Sequence, residues 1–571
     1  MRSKSSPQTS LGRLVAPAVL AAVAAAGPAV AQVFQQQTTT RFPTQSEYTN
    51  QMTFVDLELD GDLDIVFANG QGYSAAGLAL KPRVYVNDGT GVFADQTDLR
   101  VPGITGWFRG VEAGDVDSDG DLDLLLVQDF AKKPKLLMNE GAGIFSDGSV
   151  RLPNVNLSSA RGQFADVDND GDLDIAVLNS GTLSRFSTNG RPRLYLNDGT
   201  GTFSDAPAAQ TPSANIPEQM DAVFFDCDND LDLDLFIGTR AAASQLWINN
   251  GAGTFTKLAT GMPVGASSYS YDPGDIDGDG DLDLIGVNSG TSNTELLLKN
   301  NGTGTVWTNS SSSLVPNPTT DDNDSRFFDY DMDGDLDLIV ATLGSSSERI
   351  YANNGTGSFT VPSGAISSQT DSSLDVKVAD LTGDGRIDIV TAQGESGAFQ
   401  NRIYVGVTAA IDNRPPTVRL TEQLPSGTAT GPFVVRAEVF DDYANDRGFE
   451  EKSVTLVYSV DGGKPVAVPM RWSGFSLYRG VIPVQAACSE ITYFVRAIDR
   501  RDNVGTGPTR SFTIKGSCSV LGDLDGNGVV NAGDLAALLA AWGNAGGPAD
   551  LDEDGTVGSS DLTILLGAWT P

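Results

Sequence analysis

Asp115, Asp117, Asp119, Asp121 and Asp123 place five carboxylates within nine residues, with Gly120 at the sixth position. Anions this dense repel one another strongly unless a cation lies among them. Calcium takes about six to eight oxygen ligands on a flexible loop, and the glycine permits the sharp turn that aims them at one centre. The pattern recurs as Asp56, Glu58, Asp60, Asp62 and Asp64; as Asp166, Asp168, Asp170, Asp172 and Asp174; as Asp226, Asp228, Asp230, Asp232 and Asp234; as Asp275, Asp277, Asp279, Asp281 and Asp283; as Asp329, Asp331, Asp333, Asp335 and Asp337; and, with fewer acids, as Asp380, Thr382, Asp384, Arg386 and Asp388. Successive copies start 49 to 60 residues apart, a period that marks an array, a solenoid or a propeller.

Composition narrows the chemistry. The 571 residues carry 74 acids against 37 Lys and Arg, a net charge of −37. That excludes nucleic acid as a partner, because phosphate binding wants basic surface. Disorder is the usual meaning of an acidic chain, but nearly half of these acids sit in the seven loops. There is no histidine, which removes the commonest general base and the usual zinc ligand. Catalysis would have to rest on Asp, Glu, Lys, Tyr or Arg. Of the three cysteines, Cys488 and Cys518 are spaced for a disulfide in an exported protein, and Cys227, inside the fourth loop, reads as a small buried thiol.

Residues 1–31 read as a secretory signal peptide. Arg2, Lys4 and Arg13 precede an apolar run from Leu14 to Ala26, and Ala29-Val30-Ala31 is a small-x-small cleavage site. No later segment is apolar enough to span a membrane, so the mature chain is expected outside the cytoplasm, secreted or on the cell surface. From 32 to 411 each repeat follows one grammar: a strand, the acidic loop, an apolar strand, a third strand, then an Asn-rich glycine turn into an aromatic strand. The turns run from Asn87 to Phe93, Asn139 to Phe145, Asn197 to Phe203, Asn249 to Phe255, Asn300 to Trp307 and Asn353 to Phe359. Four short strands per repeat describe a propeller blade. The seventh repeat reaches Arg402 to Val405 and lacks the aromatic strand. The segment from Val33 to Thr38 resembles that from Val92 to Thr97 and stands 22 residues ahead of its loop, as Phe93 does. The N-terminus is therefore predicted to supply the missing outer strand and close the ring, which removes an open edge.

These repeats resemble the FG-GAP/VCBS family, the calcium-loop blades also found in integrin α-subunit heads. The resemblance implies a seven-bladed β-propeller with Ca²⁺ between the first two strands of each blade, and a main-chain ligand at position 7: Asp62, Asp121, Asp172, Asp232, Asp281, Asp335 and Arg386. Two loops depart from the family: Leu231 replaces the glycine of the fourth, and the seventh keeps three carboxylates. After a linker at Asp412 to Pro416, alternating runs such as Phe433 to Phe440 and Val454 to Val460 suggest a β-sandwich over 412–516. It resembles immunoglobulin or fibronectin type III modules. Residues 517–571 hold two loops with EF-hand spacing: Asp523, Asp525, Asn527, Val529, Asn531 and Asp534, then Asp550, Asp552, Asp554, Thr556 and Asp561. Each leads into a short apolar helix. The pair resembles a type I dockerin, a small helical module that implies a cohesin-like partner. Family recognition uses hydroxyl and basic residues, and only Ser559 and Ser560 fit. A calcium tail serving cell-surface retention is the competing reading.

First strands should line a central channel, which would bring together Thr53, Glu112, Gln163, Val223, Asp272, Arg326 and Lys377 with Gln51, Gly110, Arg161, Asp221, Ser270, Asp324 and Asp375. Trp107, Tyr269 and Tyr271 offer faces to sugar rings. Water and salt bridges are the simplest filling for such a channel. Three functions fit: a non-catalytic binding or adhesion protein for a glycan or an extracellular protein; a polysaccharide lyase or glycoside hydrolase, with Lys377 or a tyrosine as base in a lyase; and a structural surface or matrix protein.

Overall fold

After each acidic loop comes a run such as Asp123 to Gln128, apolar at successive positions and bounded by turn residues. A run of this kind forms a strand buried on both faces. All seven do: Asp64–Asn69, Asp123–Gln128, Asp174–Val177, Asp234–Thr239, Asp283–Asn288, Asp337–Thr342 and Asp388–Gln393. This computed structural model describes residues 33–570 apart from 182, 187–188, 213–214, 260–261, 265–266, 289–292, 345, 371, 395–396, 442–450 and 517–519. The predicted signal peptide lies outside the described residues.

The chain is mainly β. Each buried strand is the second of an antiparallel sheet, flanked by a first strand before the loop and a third after it. In five repeats the aromatic strand completes a sheet of four. The sixth departs from that expectation. Its sheet has three strands: Phe359–Thr360 meets the end of the third only through an antiparallel bridge of Thr360 to Ala352, and pairs in parallel with Leu314–Val315. The seventh sheet takes its outer strand from the N-terminus: Phe34–Gln36 pairs antiparallel with Arg402–Gly406, Phe34 opposite Gly406. Phe34 is fully buried in one core with Phe328 and Tyr404.

First strands pack side by side in chain order, and the last, Ser373–Ala379, lies against the first, Thr49–Val55. They share no ladder of backbone hydrogen bonds. Side chains link them instead. A β-bulge recurs in six of the seven first strands and re-aims the residue beside it. Gln51 accepts from the N–H of Val111 (3.0 Å), Asp221 from Tyr271 (2.7 Å), Asp324 from Val376 (3.0 Å) and Asp375 from Met52 (2.9 Å). The turn asparagines provide a second tier. Asn197 Nδ2 donates to Val116 O of the preceding repeat at 2.8 Å, Asn249 to Val167 O at 2.8 Å, and Asn87 to Leu381 O at 2.9 Å across the closure.

Residues 417–514 form two further sheets around one core that includes Val435, Leu456, Tyr478 and Val495. The region docks on the acidic-loop side of the ring. Phe475 and Leu477 share a core with Leu231, Leu233 and Phe224. Gly474 holds φ +120°, and a Cβ there would stand 2.7 Å from Leu233 and 3.1 Å from Ala165, so only glycine fits the approach. Two short helices, Ala532–Ala540 and Ser559–Gly567, follow, packed through Val530, Leu538, Val557 and Leu565.

Leu231 now has a reason. It holds a left-handed φ of 66° and is 6 % exposed beneath Phe475 and Leu477. The left-handed backbone costs about 1–2 kcal/mol, whereas a leucine lost from such a contact costs about 3–5 kcal/mol. Burial wins. Leu231→Gly, which restores the repeat pattern, is expected to destabilise the protein by about 2 kcal/mol in urea unfolding; a gain in stability would contradict the docking.

Candidate functional site

The carboxylates at positions 1, 3 and 5 converge. In at least the second to sixth loops, one oxygen from each lies within 4.8 Å of the others, as with Asp115, Asp117 and Asp119. Backbone donors fix the loop around them. Asp115 caps its own loop, accepting from Asp119 N at 3.1 Å and Gly120 N at 3.3 Å. Asp119 in turn accepts from Asp121 N at 3.0 Å. Position 9 latches the loop to its sheet: Asp123 accepts from Val116 N (3.2 Å) and from the turn residue Asn139 N (2.8 Å). Asp64, Asp174, Asp234, Asp283, Asp337 and Asp388 repeat that latch. A cluster of carboxylate oxygens and loop carbonyls suits a hard cation that takes oxygen ligands.

Not every predicted ligand faces the centre in the same way. Glu58 forms an ion pair with Arg100. In the seventh loop Arg386 bonds Asp384 at 3.0 Å, and Thr382 lies 3.4 Å from Asp380. In the tail, Asp534 accepts from the N–H groups of Leu524, Asp525 and Asn531, and Asp561 from those of Leu551, Asp552 and Gly558. These donors hold both carboxyls below their usual range. Cys227 is buried and free. Cys488 is disulfide-bonded; Cys518, its expected partner, lies outside the described residues.

The ring loops show the opposite shift. Burial, with neighbouring carboxylates second-order in most cases, pushes Asp166 up to about 7, Asp228 to about 7 and Asp329 to about 6. Burial likewise lifts the latch residues Asp64 and Asp388 to about 7 and Asp337 to about 9. Arginines from residues 414–500 stand over this face. Arg436 bonds Leu231 O (2.9 Å) and Asp232, Arg419 bonds Gly280 O (2.5 Å), Arg471 bonds Ser118 (2.8 Å) and Arg500 bonds Gly61 O (2.5 Å).

The expected channel exists, and its acids are committed. Asp221, Asp272, Asp324 and Asp375 are buried. Arg161 pairs with Asp221 at 3.1 Å and reaches Asp324 and Asp375 at 3.7 and 3.6 Å, while Arg326 pairs with Asp324 at 3.1 Å. Against the cost of burial, the guanidinium groups of Arg326 and Arg161 hold Asp324 low, and burial beside Asp324 pushes Asp375 up. Both also accept a neighbouring strand's N–H, as Gln51 and Asp221 do at equivalent positions. Thr53, Glu112, Gln163, Val223 and Lys377 line the channel together with Trp472 and Phe475. Tyr271 is not available to a ligand. It is fully buried, with its hydroxyl 2.7 Å from Ser268 and 3.1 Å from Ser244.

The opposite mouth is open. A recess there is lined by Tyr73, Arg109, Arg161, Arg185, Tyr269 and Asn323, among others. Trp107, under Lys132 at 4.8 Å, stands close in sequence to Arg109. Arg109, Arg185, Arg240, Tyr73 and Phe186 escaped the sequence reading. Their signal was arginine beside aromatics in the segments outside the acidic loops of an otherwise acidic chain.

Models of the FG-GAP-like repeat match residues 56–126, 115–177, 226–286, 275–340 and 329–391, which take in all seven acidic loops and just over half of the chain. A dockerin type I domain matches 521–567. The chain belongs to the FG-GAP-like repeat family and carries a C-terminal type I dockerin domain. No curated protein matches the sequence. Among solved structures it is similar to an α-L-arabinanase from Penicillium chrysogenum complexed with arabinobiose, at 12 % identity over 66 % of this chain and 97 % of that one, TM-score 0.34. It is also similar to an ancestral GH74 enzyme, at 10 % identity over 84 % and 64 %, TM-score 0.36. Likenesses this weak carry no argument about activity.

Raised carboxyl pKa values make the cation-free native state bind more protons than the unfolded chain between about pH 4 and 7. Stability without a cation therefore falls as pH rises through that window, and no histidine contributes there. Calcium, which needs the ionised form, is expected to cancel the trend. In chelator the melting temperature should drop from about pH 5 to 7.5, and in calcium it should not. A rise in chelator over the same window would contradict the loop electrostatics.

Proposed function

We propose that this is an extracellular, calcium-loaded binding protein without catalytic activity of its own. On this reading residues 32–411 are a seven-bladed propeller, 412–516 an immunoglobulin- or fibronectin-like sandwich, and 517–571 a calcium-bound tail that docks on a cohesin-like partner. Residues 1–31 act as the export signal. The observation that carries it is the commitment of the channel. Its buried acids stitch neighbouring strands together or neutralise Arg161 and Arg326, and Trp472 and Phe475 also line it. The close pair Asp324 and Asp375 is fully buried and belongs to the ring's own stitching, which favours a scaffold over a polysaccharide-cleaving site. Calcium supplies charge neutralisation to the loops, with Asp115, Asp117 and Asp119 and their counterparts as side-chain ligands.

The tail supports attachment. Leu539 and Trp542 on the first helix and its end are exposed, and Leu566 and Trp569 are exposed at matching places in the second copy. Among the described residues no helix is long and apolar enough to cross a membrane, and the tail offers another means of retention.

The test is incubation with a panel of insoluble and soluble polysaccharides, in calcium and in chelator, following protein depletion and product release together. Calcium-dependent depletion without products is expected. New reducing ends, or the ultraviolet absorbance of unsaturated uronates, would overturn the reading in favour of a lyase or hydrolase.

A further inference from the structure

Among the described residues, two buried arginines at the open mouth share one carboxylate. Asp129 is fully buried and serves two guanidinium groups: Arg185 Nη1 at 3.2 Å and Arg109 Nε at 3.6 Å. Its oxygens also accept from the N–H of Phe130 at 2.7 Å and of Arg185 at 2.8 Å. Among the described residues Arg109 otherwise meets neutral acceptors, Asn50 Oδ1 at 2.5 Å, Gly70 O at 3.2 Å and Gly72 O. Two cations, 6 % and 8 % exposed, thus share one carboxylate. Arg240 beside them has its own partner, Glu218 at 2.8 Å. A surplus positive charge held away from water favours an anion.

Aromatic rings fix the cations in place. The Arg185 guanidinium lies 4.4 Å from the centre of the Phe186 ring and 5.7 Å from that of Tyr73, and Arg240 lies 4.4 Å from Phe186. Tyr73 stacks on Phe186 at 4.5 Å, and its hydroxyl accepts from Arg240 at 3.0 Å and lies 3.4 Å from that of Tyr269. Planar guanidinium groups held this way suit two-pronged bonding to carboxylate or sulfate. Tyr73 and Tyr269 add apolar faces with polar edges, a match for a ring that is apolar on its C–H face and polar at its rim.

We infer that this mouth binds a single acidic sugar residue, its carboxylate or sulfate on Arg185 and its ring against Tyr73 and Tyr269. The recess opens to solvent, so a sugar ring can rest at its rim with only the acidic group reaching inward. The net charge of −37 opposes a long polyanion laid across the surface, so the acidic residue enters as a chain end. This rests on the binding reading above and narrows it to one ligand class and one site.

Calorimetry on the calcium-loaded full chain at low salt tests it, with digalacturonate, galactose 6-sulfate, neutral galactobiose and inorganic sulfate as probes. At least one of the two acidic sugars is expected to bind about tenfold or more tighter than galactobiose and than sulfate alone, and to weaken as salt is added. The two acidic probes distinguish carboxylate from sulfate. Arg185→Gln is expected to weaken that binding about tenfold or more, and Tyr73→Ala, at an exposed ring, to weaken it without lowering the melting temperature. Arg193→Gln, at an outer-strand pair with Asp205, serves as the control and should change nothing. Equal binding of galactobiose, sulfate binding as tight as the sugar's, or wild-type affinity in Tyr73→Ala would each overturn the inference, while polysaccharide depletion in the panel would leave the broader reading standing. Binding of none of the probes would also overturn it.

Discussion

Repulsion among the acidic loops is the constraint on which the rest of the molecule depends. All seven open from the same junction between first and second strands, and further residues fold down upon them. Three devices answer the charge. Convergent oxygens at positions 1, 3 and 5 prepare a place for a cation. Position 9 hands its negative charge to two backbone N–H groups. Arg419, Arg436, Arg471 and Arg500 come from the chain beyond the ring to meet loop oxygens. The seventh loop, with the fewest acids, also carries its own Arg386.

The same economy organises the ring. First strands that do not pair through backbone ladders are held by bulge-directed side chains, and five turn asparagines each join a loop to the next sheet. A carboxylate pair such as Asp324 and Asp375, which would suggest an acid-base centre if seen alone, falls at stitching positions when the repeats are compared. That repetition separates scaffold from site. The mouth residues Arg109, Arg185 and Tyr73 follow no such pattern.

Much of this was legible in the sequence because the loops state their chemistry outright. Seven acidic patterns at a regular period gave the repeat, its strand order and the convergent oxygens, and the likeness of Val33 to Thr38 to Val92 to Thr97 gave the closing strand. Three features were not legible. Leu231 looked like a defect because its partners, Phe475 and Leu477, lie some 240 residues away. Tyr271 looked accessible, since alternation along a strand does not reveal that its ring is buried and its hydroxyl taken by Ser268 and Ser244. The paired guanidinium groups at the mouth come from neighbouring repeats, and only the packing of the third repeat on the second brings Arg109 and Arg185 to one aspartate.

The most direct test is a count of calcium. Equilibrium dialysis of the purified chain, followed by elemental analysis, measures ions bound per molecule. The account predicts uptake well beyond the two that the tail loops can hold, approaching nine as the seven ring loops fill. Two ions or fewer at millimolar calcium would contradict it, because the ring would then stand with its carboxylates neutralised by protons and arginines alone.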